Sequence, residues 1–334
     1  MSAERVLCGR YEVGEVIGRG GMADVHLGRD RRSGRRVAIK MLRKKLAEDP
    51  VLRTSLQREA QTLRRLHHRG IVALHNAGQD EVRDGSGEEH AAPFIVMEYV
   101  AGRSLRELLG MGRLSLAKSI HYQVGVLRAL EAIHRAGVVH RDIKPANVMV
   151  TSRGAVKLVD FGIARPSDDP AATVSDVEML LGTPRYLSPE QARGETADAR
   201  SDLYSAGCLL FELLLGRPPF AGDDPIALAY QHVHEPLPRT DTGIPALDAV
   251  VVRALAKRPD ERFQDARAFR DALQSATKHV APHRDSTTDH TARQREGSTP
   301  WDSSPSEKRT APRSSSTTRT RARDSRSSSS TDTR

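Results

Sequence analysis

Cysteine, aromatic residues and long hydrophobic runs are all scarce in this sequence. Its 334 residues include two cysteines, Cys8 and Cys208, which excludes a disulfide scaffold and a cysteine-rich zinc fold and favours a reducing compartment. The longest strongly apolar stretch, residues 206–215, contains Glu212 and is well short of the ~20 apolar residues that a spanning helix needs. The charged N-terminus also lacks the apolar core of a signal peptide. We therefore expect a cytoplasmic protein without a transmembrane segment.

Lysine is scarce as well, with nine lysines against 43 arginines. The formal net charge of +9 permits contact with nucleic acid or acidic membranes. However, residues 279–334 contain 23 Ser/Thr, 11 Lys/Arg and 7 Asp/Glu, and hardly any large apolar side chains. Such a segment does not bury enough apolar area to offset its ordering entropy, so we predict a disordered tail. Because its basic residues form no dense block, we expect no nucleic acid partner; a basic binding arm is the alternative.

The apolar pattern of residues 1–278 divides into a strand-rich part and a helix-rich part. Alternating apolar runs with glycine-rich breaks predict strands early in the chain, and the helical period dominates from about Ser104 onward. The polar, acidic residues 79–92 are typical of a loop. We therefore predict an α+β fold, with a small β-rich lobe, a larger α-rich lobe and a junction near residues 98–102. The predicted strands are 11–17, 25–29, 36–42, 94–99, 147–151 and 156–159, and the predicted helices of the second part are 115–136, 200–215, 224–234, 245–256 and 264–275.

A glycine-rich segment, Gly18-Arg19-Gly20-Gly21-Met22-Ala23, lies between two predicted strands. Glycines let the backbone approach a phosphate closely and direct N–H groups at it. A dinucleotide fingerprint needs a helix after its glycines, whereas here a strand that includes Val25 follows. The segment is therefore a candidate phosphate loop within a β-hairpin, with an ordinary turn as the alternative.

A strand lysine and a helix glutamate form a candidate ion pair. The period of two places Ala38 and Lys40 on one face of the strand 36–42. Glu59 falls on the apolar stripe of the following helix, where a carboxylate needs a cation. In a chain with so few lysines, Lys40 is the obvious candidate, because lysine supplies a compact point charge. The alternative is that Glu59 lies at the rim of the stripe. That stripe consists of Leu52, Leu56, Glu59, Leu63 and Leu66.

Two polar motifs carry candidate catalytic and metal-binding groups. In residues 140–147 (HRDIKPAN), Asp142 could accept or orient a hydroxyl proton, Lys144 could neutralise phosphate charge, and Asn147 could hold a divalent ion. Asp160 follows an apolar run and begins Asp-Phe-Gly, which suits a metal ligand on a movable loop. Each motif alone is common by chance, so a polar turn remains the alternative for each.

The order and spacing of these motifs, followed by Ser188-Pro189-Glu190, match the signature set of protein kinases. The chain resembles the eukaryotic-like (Hanks-type) serine/threonine protein kinases over residues 11–273. Its segments GRGGMADVHLGRD and GTPRYLSPEQARG resemble the bacterial, especially actinobacterial, branch. The resemblance implies a two-lobed kinase domain, with an N-lobe over about 11–97 and a C-lobe over about 98–273. It also implies transfer of the γ-phosphate of ATP to a protein hydroxyl, with Mg²⁺ or Mn²⁺.

The resemblance further implies a role for each motif residue. Lys40, paired with Glu59, would hold the α- and β-phosphates of ATP. Asp142 would be the catalytic base or the hydroxyl-orienting group, and Lys144 would contact the γ-phosphate. The metal ligands would be Asn147 and Asp160. The phosphates would be covered by Ile17, Gly18, Arg19, Gly20, Gly21, Met22, Ala23, Asp24 and Val25. The adenine would lie between Val25, Ala38 and Met149, with Met97 as gatekeeper and backbone groups of Glu98 and Val100 at its edge.

Other residues would have structural roles in such a kinase. A column of Leu63, Leu74, His140 and Phe161 would join the lobes, Glu190 and Arg262 would form a buried ion pair, and Asp202 would brace the catalytic loop. Three positions depart from the family pattern: Ala23 replaces a glycine and adds a methyl above the phosphates, Ser188 replaces an alanine, and Val177 replaces a second phosphorylatable threonine.

The resemblance also indicates the acceptor and its regulation. Lys144 and Thr183 favour Ser/Thr acceptors over tyrosine, and Arg141 could bind a phosphorylated activation loop. We expect autophosphorylation at Thr173 or Ser175. A homodimer is possible, although no residue is specific for one.

Two other functions compete with an active protein kinase. A catalytically dead scaffold of the same fold would have lost Lys40, Asp142 or Asp160, and all three are present. A small-molecule kinase of related fold would not need the intact activation segment, residues 160–190, which favours a protein acceptor.

Overall fold

The structure, a computed structural model, describes residues 5–21, 23–43, 47, 49–83, 89–161 and 184–278, with the backbone alone at 81–83 and 89–92. Residues 1–281 form one compact unit, in which an antiparallel sheet and a helix precede a mostly helical lobe. The tail 279–334, predicted to be disordered, lies outside the described residues. In the described part of the chain, no helix is long and apolar enough to cross a membrane.

The first lobe is a six-stranded antiparallel sheet with the strand order β1-β2-β3-β4-β6-β5. Because successive side chains of a strand point to opposite faces, the sheet contacts two apolar clusters. Ile39 and Phe94 belong to one cluster, whereas Ile95 packs with Leu56 and Ala60 of helix α1 in the other. Helix α1 begins at Pro50, where the side chain of the preceding residue caps the first turn. The elements are β1 (Arg5–Leu7), β2 (Tyr11–Arg19), β3 (Ala23–Asp30), β4 (Arg36–Leu42), α1 (Pro50–Arg65), β5 (Leu74–Arg83) and β6 (Glu89–Glu98).

The loop predicted over residues 79–92 is wrong at 79–83 and 89–92, which are strand residues of β5 and β6, while 84–88 lie outside the described residues. β5 and β6 pair from Gln79↔Pro93 out to Arg83↔Glu89, so both ends of the acidic segment are paired strands. A strand pair is held by backbone hydrogen bonds, which leave no hydropathy signal, and the polar composition therefore concealed it.

The second lobe is built around two long helices, α3 and α5, and contains the three-stranded sheet β7-β8-β9. α5 is buried along nearly its whole length and ends at Gly216, whose φ of 76° is the left-handed conformation that closes a helix. The predicted helices and strands of this lobe match the observed ones to within two residues at each end. β7, α2 and α4, like β1, were not predicted. The elements are β7 (Gly102–Ser104), α2 (Leu105–Gly110), α3 (Leu116–Arg135), β8 (Val148–Thr151), β9 (Val156–Leu158), α4 (Pro189–Ala192), α5 (Ala199–Leu215), α6 (Pro225–His234), α7 (Pro245–Ala254) and α8 (Ala266–Thr277).

The segment between α1 and β5 attaches the sheet lobe to the helical lobe. The N–H of Leu158 in β9 donates to the carbonyl of Gly70 at 2.8 Å, and the N–H of Val72 donates to the carbonyl of Leu158 at 3.0 Å. These bonds hold β9 beside the sheet lobe. As a result, Asp160, the second residue after the end of β9, comes close to Lys40.

Candidate active site

Lys40 lies between two carboxylates where the lobes meet. Its Nζ is 2.8 Å from both carboxylate oxygens of Glu59 and 3.2 Å from Oδ1 of Asp160. Burial alone would lower the pKa of Lys40, but the facing charges of Asp160 and Glu59 outweigh burial and raise this pKa, so the amine stays charged. The ion pair predicted from the helical stripe is present, and Glu59 is buried rather than at the rim.

The loop between α3 and β8 brings three polar side chains into contact, those of Asp142, Lys144 and Asn147. Asn147 donates its side-chain N–H groups to the carboxylate of Asp142 at 2.8 Å and to its carbonyl at 2.9 Å. Nζ of Lys144 is 2.8 Å from Oδ2 of Asp142. The side chain of Asp142 keeps 19% of its surface exposed. An incoming hydroxyl group can therefore reach this carboxylate.

Asp202 of α5 braces the loop between α3 and β8, which we call the catalytic loop. Its carboxylate accepts hydrogen bonds from the backbone N–H groups of His140 and Arg141, each at 2.8 Å, and lies 2.8 Å from Nε2 of His134. Arg141 has a φ of 65° and Asp160 a φ of 55°, a conformation that costs roughly 1–3 kcal/mol in a non-glycine residue. The bonds to Asp202 help to keep Arg141 in it, so the bracing role expected of Asp202 has a geometric basis.

Asn147 and Asp160 supply oxygen atoms of the kind that a divalent cation prefers. Nδ2 of Asn147 is 3.4 Å from the backbone carbonyl oxygen of Asp160, which places the two residues side by side. Carboxylate and amide oxygens suit Mg²⁺, which commonly takes only one or two protein ligands and completes its shell with phosphate and water. In the described part of the chain, no group of three His, Cys, Asp or Glu side chains is arranged to hold a metal. The two residues thus fit a partial Mg²⁺ shell.

The predicted adenine pocket brings together apolar residues from both lobes. Ala38, Met97 and Val100 belong to the main core cluster, and Val25 and Met149 pack against it. The N–H of Glu98 donates to the carbonyl of Ala73 at 2.9 Å, so its carbonyl is the backbone group of this residue that a nucleotide could use.

The glycine-rich segment is the turn between β2 and β3. β2 includes Gly18 and ends at Arg19, and the N–H of Gly20 donates to the carbonyl of Ala23 at 2.9 Å. The apolar side chain of Ile17 is 45% exposed, and a nucleotide bound under the turn would cover it. Met22 lies outside the described residues.

The side chain of Ala23 does not point where the glycine pattern predicts. Ala23 is buried and belongs to the cluster of Leu42, Leu56 and Ile95 between the sheet and α1. Its methyl group therefore fills that interface instead of lying above the phosphates. This explains structurally why an alanine is accommodated in the glycine pattern.

A column of side chains connects the lobes behind the site. The rings of His140 and Phe161 stack with their centroids 4.6 Å apart, Leu63 shares their cluster, and Leu74 packs against it. Burial lowers the pKa of His140. A neutral imidazole can accept the N–H of Asp142, which lies 3.3 Å from Nδ1.

The pair of Glu190 and Arg262 anchors α4 in the helical lobe. Nη1 and Nη2 of Arg262 donate to Oε1 and Oε2 of Glu190, each at 2.8 Å, and Arg262 is fully buried. Ser201 of α5 donates to the same carboxylate at 2.6 Å. Burial raises the pKa of Glu190, but the Arg262 and Ser201 hydrogen bonds outweigh it and lower the pKa overall.

Besides Met22, three further predicted residues lie outside the described residues: Thr183 and the candidate phosphosites Thr173 and Ser175. Two contacts of the site, in turn, were not predicted from the sequence. Lys157 pairs with Glu98, and Gln191 reaches the carbonyl of Arg141. The sequence does contain a signal for Lys157, because lysine is a rare residue type in this chain and here interrupts a short apolar strand. It contains no comparable signal for Gln191.

The sequence of this chain is similar to those of known protein kinases. The protein kinase domain family model matches residues 11–279. A probable serine/threonine-protein kinase of Streptomyces coelicolor, SCO3848, is 52% identical over 275 residues, which are 81% of this chain and 40% of that protein. The serine/threonine-protein kinase PknB of Mycolicibacterium smegmatis is 47% identical over 287 residues, 84% of this chain and 45% of that protein. The chain thus spans less than half the length of these curated relatives.

The fold is also similar to that of a solved kinase structure. The crystal structure of the kinase domain of Mycobacterium tuberculosis PknI aligns with a TM-score of 0.64 at 27% sequence identity. The alignment covers 83% of this chain and 99% of the PknI domain.

Proposed function

The chain belongs to the protein kinase family, and from that membership we propose that it transfers the γ-phosphoryl group of ATP to serine or threonine hydroxyls of protein substrates. The observation that carries the proposal is the position of Lys40, 2.8 Å from Glu59 and 3.2 Å from Asp160. A charged amine held between those carboxylates is arranged to contact the phosphates of a nucleotide bound between the lobes. The bacterial relatives named as serine/threonine kinases favour this acceptor class.

Each residue has a defined task in the proposed reaction. Lys40 holds the α- and β-phosphates, and Glu59 keeps the amine in place. Asp142 accepts a hydrogen bond from the acceptor hydroxyl and aligns its oxygen in line with the γ-phosphorus. Lys144, beside that carboxylate, neutralises charge on the phosphoryl group as it moves. Most of the catalysis is positioning and electrostatic stabilisation.

The metal site would be formed by Asn147 and Asp160. A Mg²⁺ or Mn²⁺ ion held there would supply positive charge to the phosphate oxygens. Asn147 also fixes the carboxylate of Asp142 through its amide, so this residue links the metal site to the acceptor site.

The test is phosphate transfer from γ-labelled ATP with Mg²⁺ to a generic protein substrate, followed by phosphoamino-acid analysis. We expect labelled serine or threonine with the wild type, and a loss of at least about 10²-fold with Lys40→Met and with Asp142→Asn. Lys118→Met, an exposed lysine on the first turn of α3, is the matched control and should retain full activity. Equal labelling by all four proteins would overturn the assignment, and label found only on small molecules would favour the alternative acceptor class.

Regulation by autophosphorylation is part of the same proposal. Thr173 and Ser175 are the candidate sites, and the guanidinium of Arg141, next to Asp142, is the cation that would receive a phosphate. Mass spectrometry of the active protein should find at least one of the two modified. ATP as donor is consistent with a cytoplasmic location of the catalytic domain, and a homodimer would allow the reaction to occur between two copies.

A further inference from the structure

Gln191 of α4 contacts the catalytic loop through its side chain. Nε2 donates to the backbone carbonyl of Arg141 at 3.2 Å. At the other end of the amide, Oε1 accepts from the N–H of Ser188 at 3.2 Å and from the Ser188 hydroxyl at 3.1 Å. Since a backbone N–H needs an acceptor and a carbonyl needs a donor, these partners fix the orientation of the amide.

Arg141, the residue that Gln191 contacts, is one of two non-glycine residues with positive φ among the described residues of the proposed site. The peptide units on both sides of Arg141 are held by side chains: Asp202 accepts its N–H at 2.8 Å, and Gln191 donates to its carbonyl. That carbonyl belongs to the peptide bond that leads directly into Asp142. A rotation of this peptide would turn the Asp142 side chain away from its present direction.

α4 itself is fixed in the helical lobe next to Gln191. Glu190, the preceding residue, is held by Arg262 at 2.8 Å and by Ser201 at 2.6 Å. On the N-terminal side of Glu190, Ser188 replaces the usual alanine, and its N–H and hydroxyl donate to Oε1 of Gln191. Gln191 is therefore a short, rigid connection between the anchored α4 and the strained backbone of the catalytic loop.

We propose that Gln191 is a positioning residue for phosphoryl transfer, which holds the Arg141 carbonyl so that Asp142 faces the acceptor hydroxyl. The inference rests on the proposed kinase function. It predicts an effect on turnover rather than on nucleotide binding, because the contact is made on the acceptor side of the site and not at Lys40 or Asp160.

The variant Gln191→Glu tests the donor specifically. A glutamate keeps the length of the side chain and an oxygen that can accept from Ser188, but it has no N–H for the Arg141 carbonyl. We expect kcat to fall by at least about tenfold, while KM for ATP and the dissociation constant of Mg·ADP stay within about twofold. Arg193→Ala is the matched control: Arg193 is exposed at the end of the same helix α4, so its kcat should stay within about twofold of the wild type.

Thermal unfolding of each variant distinguishes positioning from folding. If Gln191→Glu does not fold, Gln191→Met, which retains the packing volume without the hydrogen bonds, takes its place with the same expected loss of kcat. An active wild type together with an equally active folded Gln191 variant would overturn the inference and leave the kinase function standing. A loss of kcat in Arg193→Ala as large as in the Gln191 variant would also overturn it. A wild type that transfers no phosphate would overturn the kinase function and this inference together.

Discussion

Lys157 of β9 and Glu98 at the end of β6 form an ion pair that joins the two lobes behind the proposed nucleotide pocket. Nζ of Lys157 is 2.8 Å from Oε2 of Glu98 and 3.5 Å from the carbonyl oxygen of Ile71. The same carboxylate accepts the N–H of Ala73 at 3.3 Å. Three segments of the chain are thus held together at the residue whose carbonyl we propose as a nucleotide contact.

Removing this pair should weaken nucleotide binding. With side chains 16% and 31% exposed, the pair is partly screened, and a contribution of about 1 kcal/mol corresponds to roughly fivefold in affinity. We therefore expect Lys157→Met to raise the dissociation constant of Mg·ADP by roughly fivefold in calorimetric titration. The exposed Lys118→Met should bind like the wild type. Equal affinities in all three proteins would show that the pair does not position the pocket.

Removing Arg262 from its ion pair with Glu190 should strongly destabilise the helical lobe. Arg262 has no exposed surface, and besides Glu190 it donates to the backbone carbonyls of Ala256, Arg200 and Lys257. Truncation leaves a buried carboxylate without its cation, so Arg262→Ala should lower the free energy of unfolding by about 3–5 kcal/mol.

A second arginine provides the control for this prediction. Arg258 pairs with Asp260 at 2.7 Å, but the two side chains are 70% and 60% exposed. Arg258→Ala should change the free energy of unfolding by less than about 1 kcal/mol in the same urea titration. Similar losses in the two variants would contradict the argument from burial.

How far the sequence predicted the site depends on whether a contact leaves a local pattern. Lys40 and Glu59 were paired correctly because a carboxylate interrupts an apolar stripe, and the glycine turn was placed correctly by its flanking strands. Ala23 was placed wrongly because no sequence period indicates on which side of a turn a methyl group lies. The bond from Gln191 to Arg141 joins residues 50 positions apart, and only the packing of α4 against the catalytic loop creates it.

The contact of Gly125 with β9 should make an otherwise favourable substitution destabilising. Gly125 lies inside α3, where alanine would ordinarily stabilise the helix by about 1 kcal/mol. A Cβ at this position would lie 2.7 Å from two side-chain carbons of Val156, and such overpacking costs about 1–3 kcal/mol. Gly125→Ala should therefore lower the melting temperature. Gly110, at the end of α2, has no atom within 4 Å of the position that a Cβ would occupy, so Gly110→Ala should leave that temperature unchanged or raise it.

Buried His232 should make the fold sensitive to mild acid. Burial, together with the nearby charge of Lys257, lowers the pKa of His232 to about 3, and its Nδ1 lies 3.0 Å from the hydroxyl of Tyr204. The unfolded chain binds a proton at this residue near pH 6.5, whereas the folded chain does not until about pH 3. The stabilising contribution is therefore complete above pH 6.5 and is lost progressively as the pH falls toward 3.

At pH 5 this loss amounts to about 2 kcal/mol for one such histidine. His140, whose pKa is also lowered by burial, contributes with the same sign, so the wild type should lose stability steadily between pH 7 and pH 5. The variant His232→Gln keeps a polar partner for Tyr204 but does not titrate. Its unfolding free energy, measured in urea at a series of pH values, should fall less steeply than that of the wild type over this range. Parallel curves for the two proteins would mean that His232 is protonated in the folded state, and that its burial does not exclude the charge.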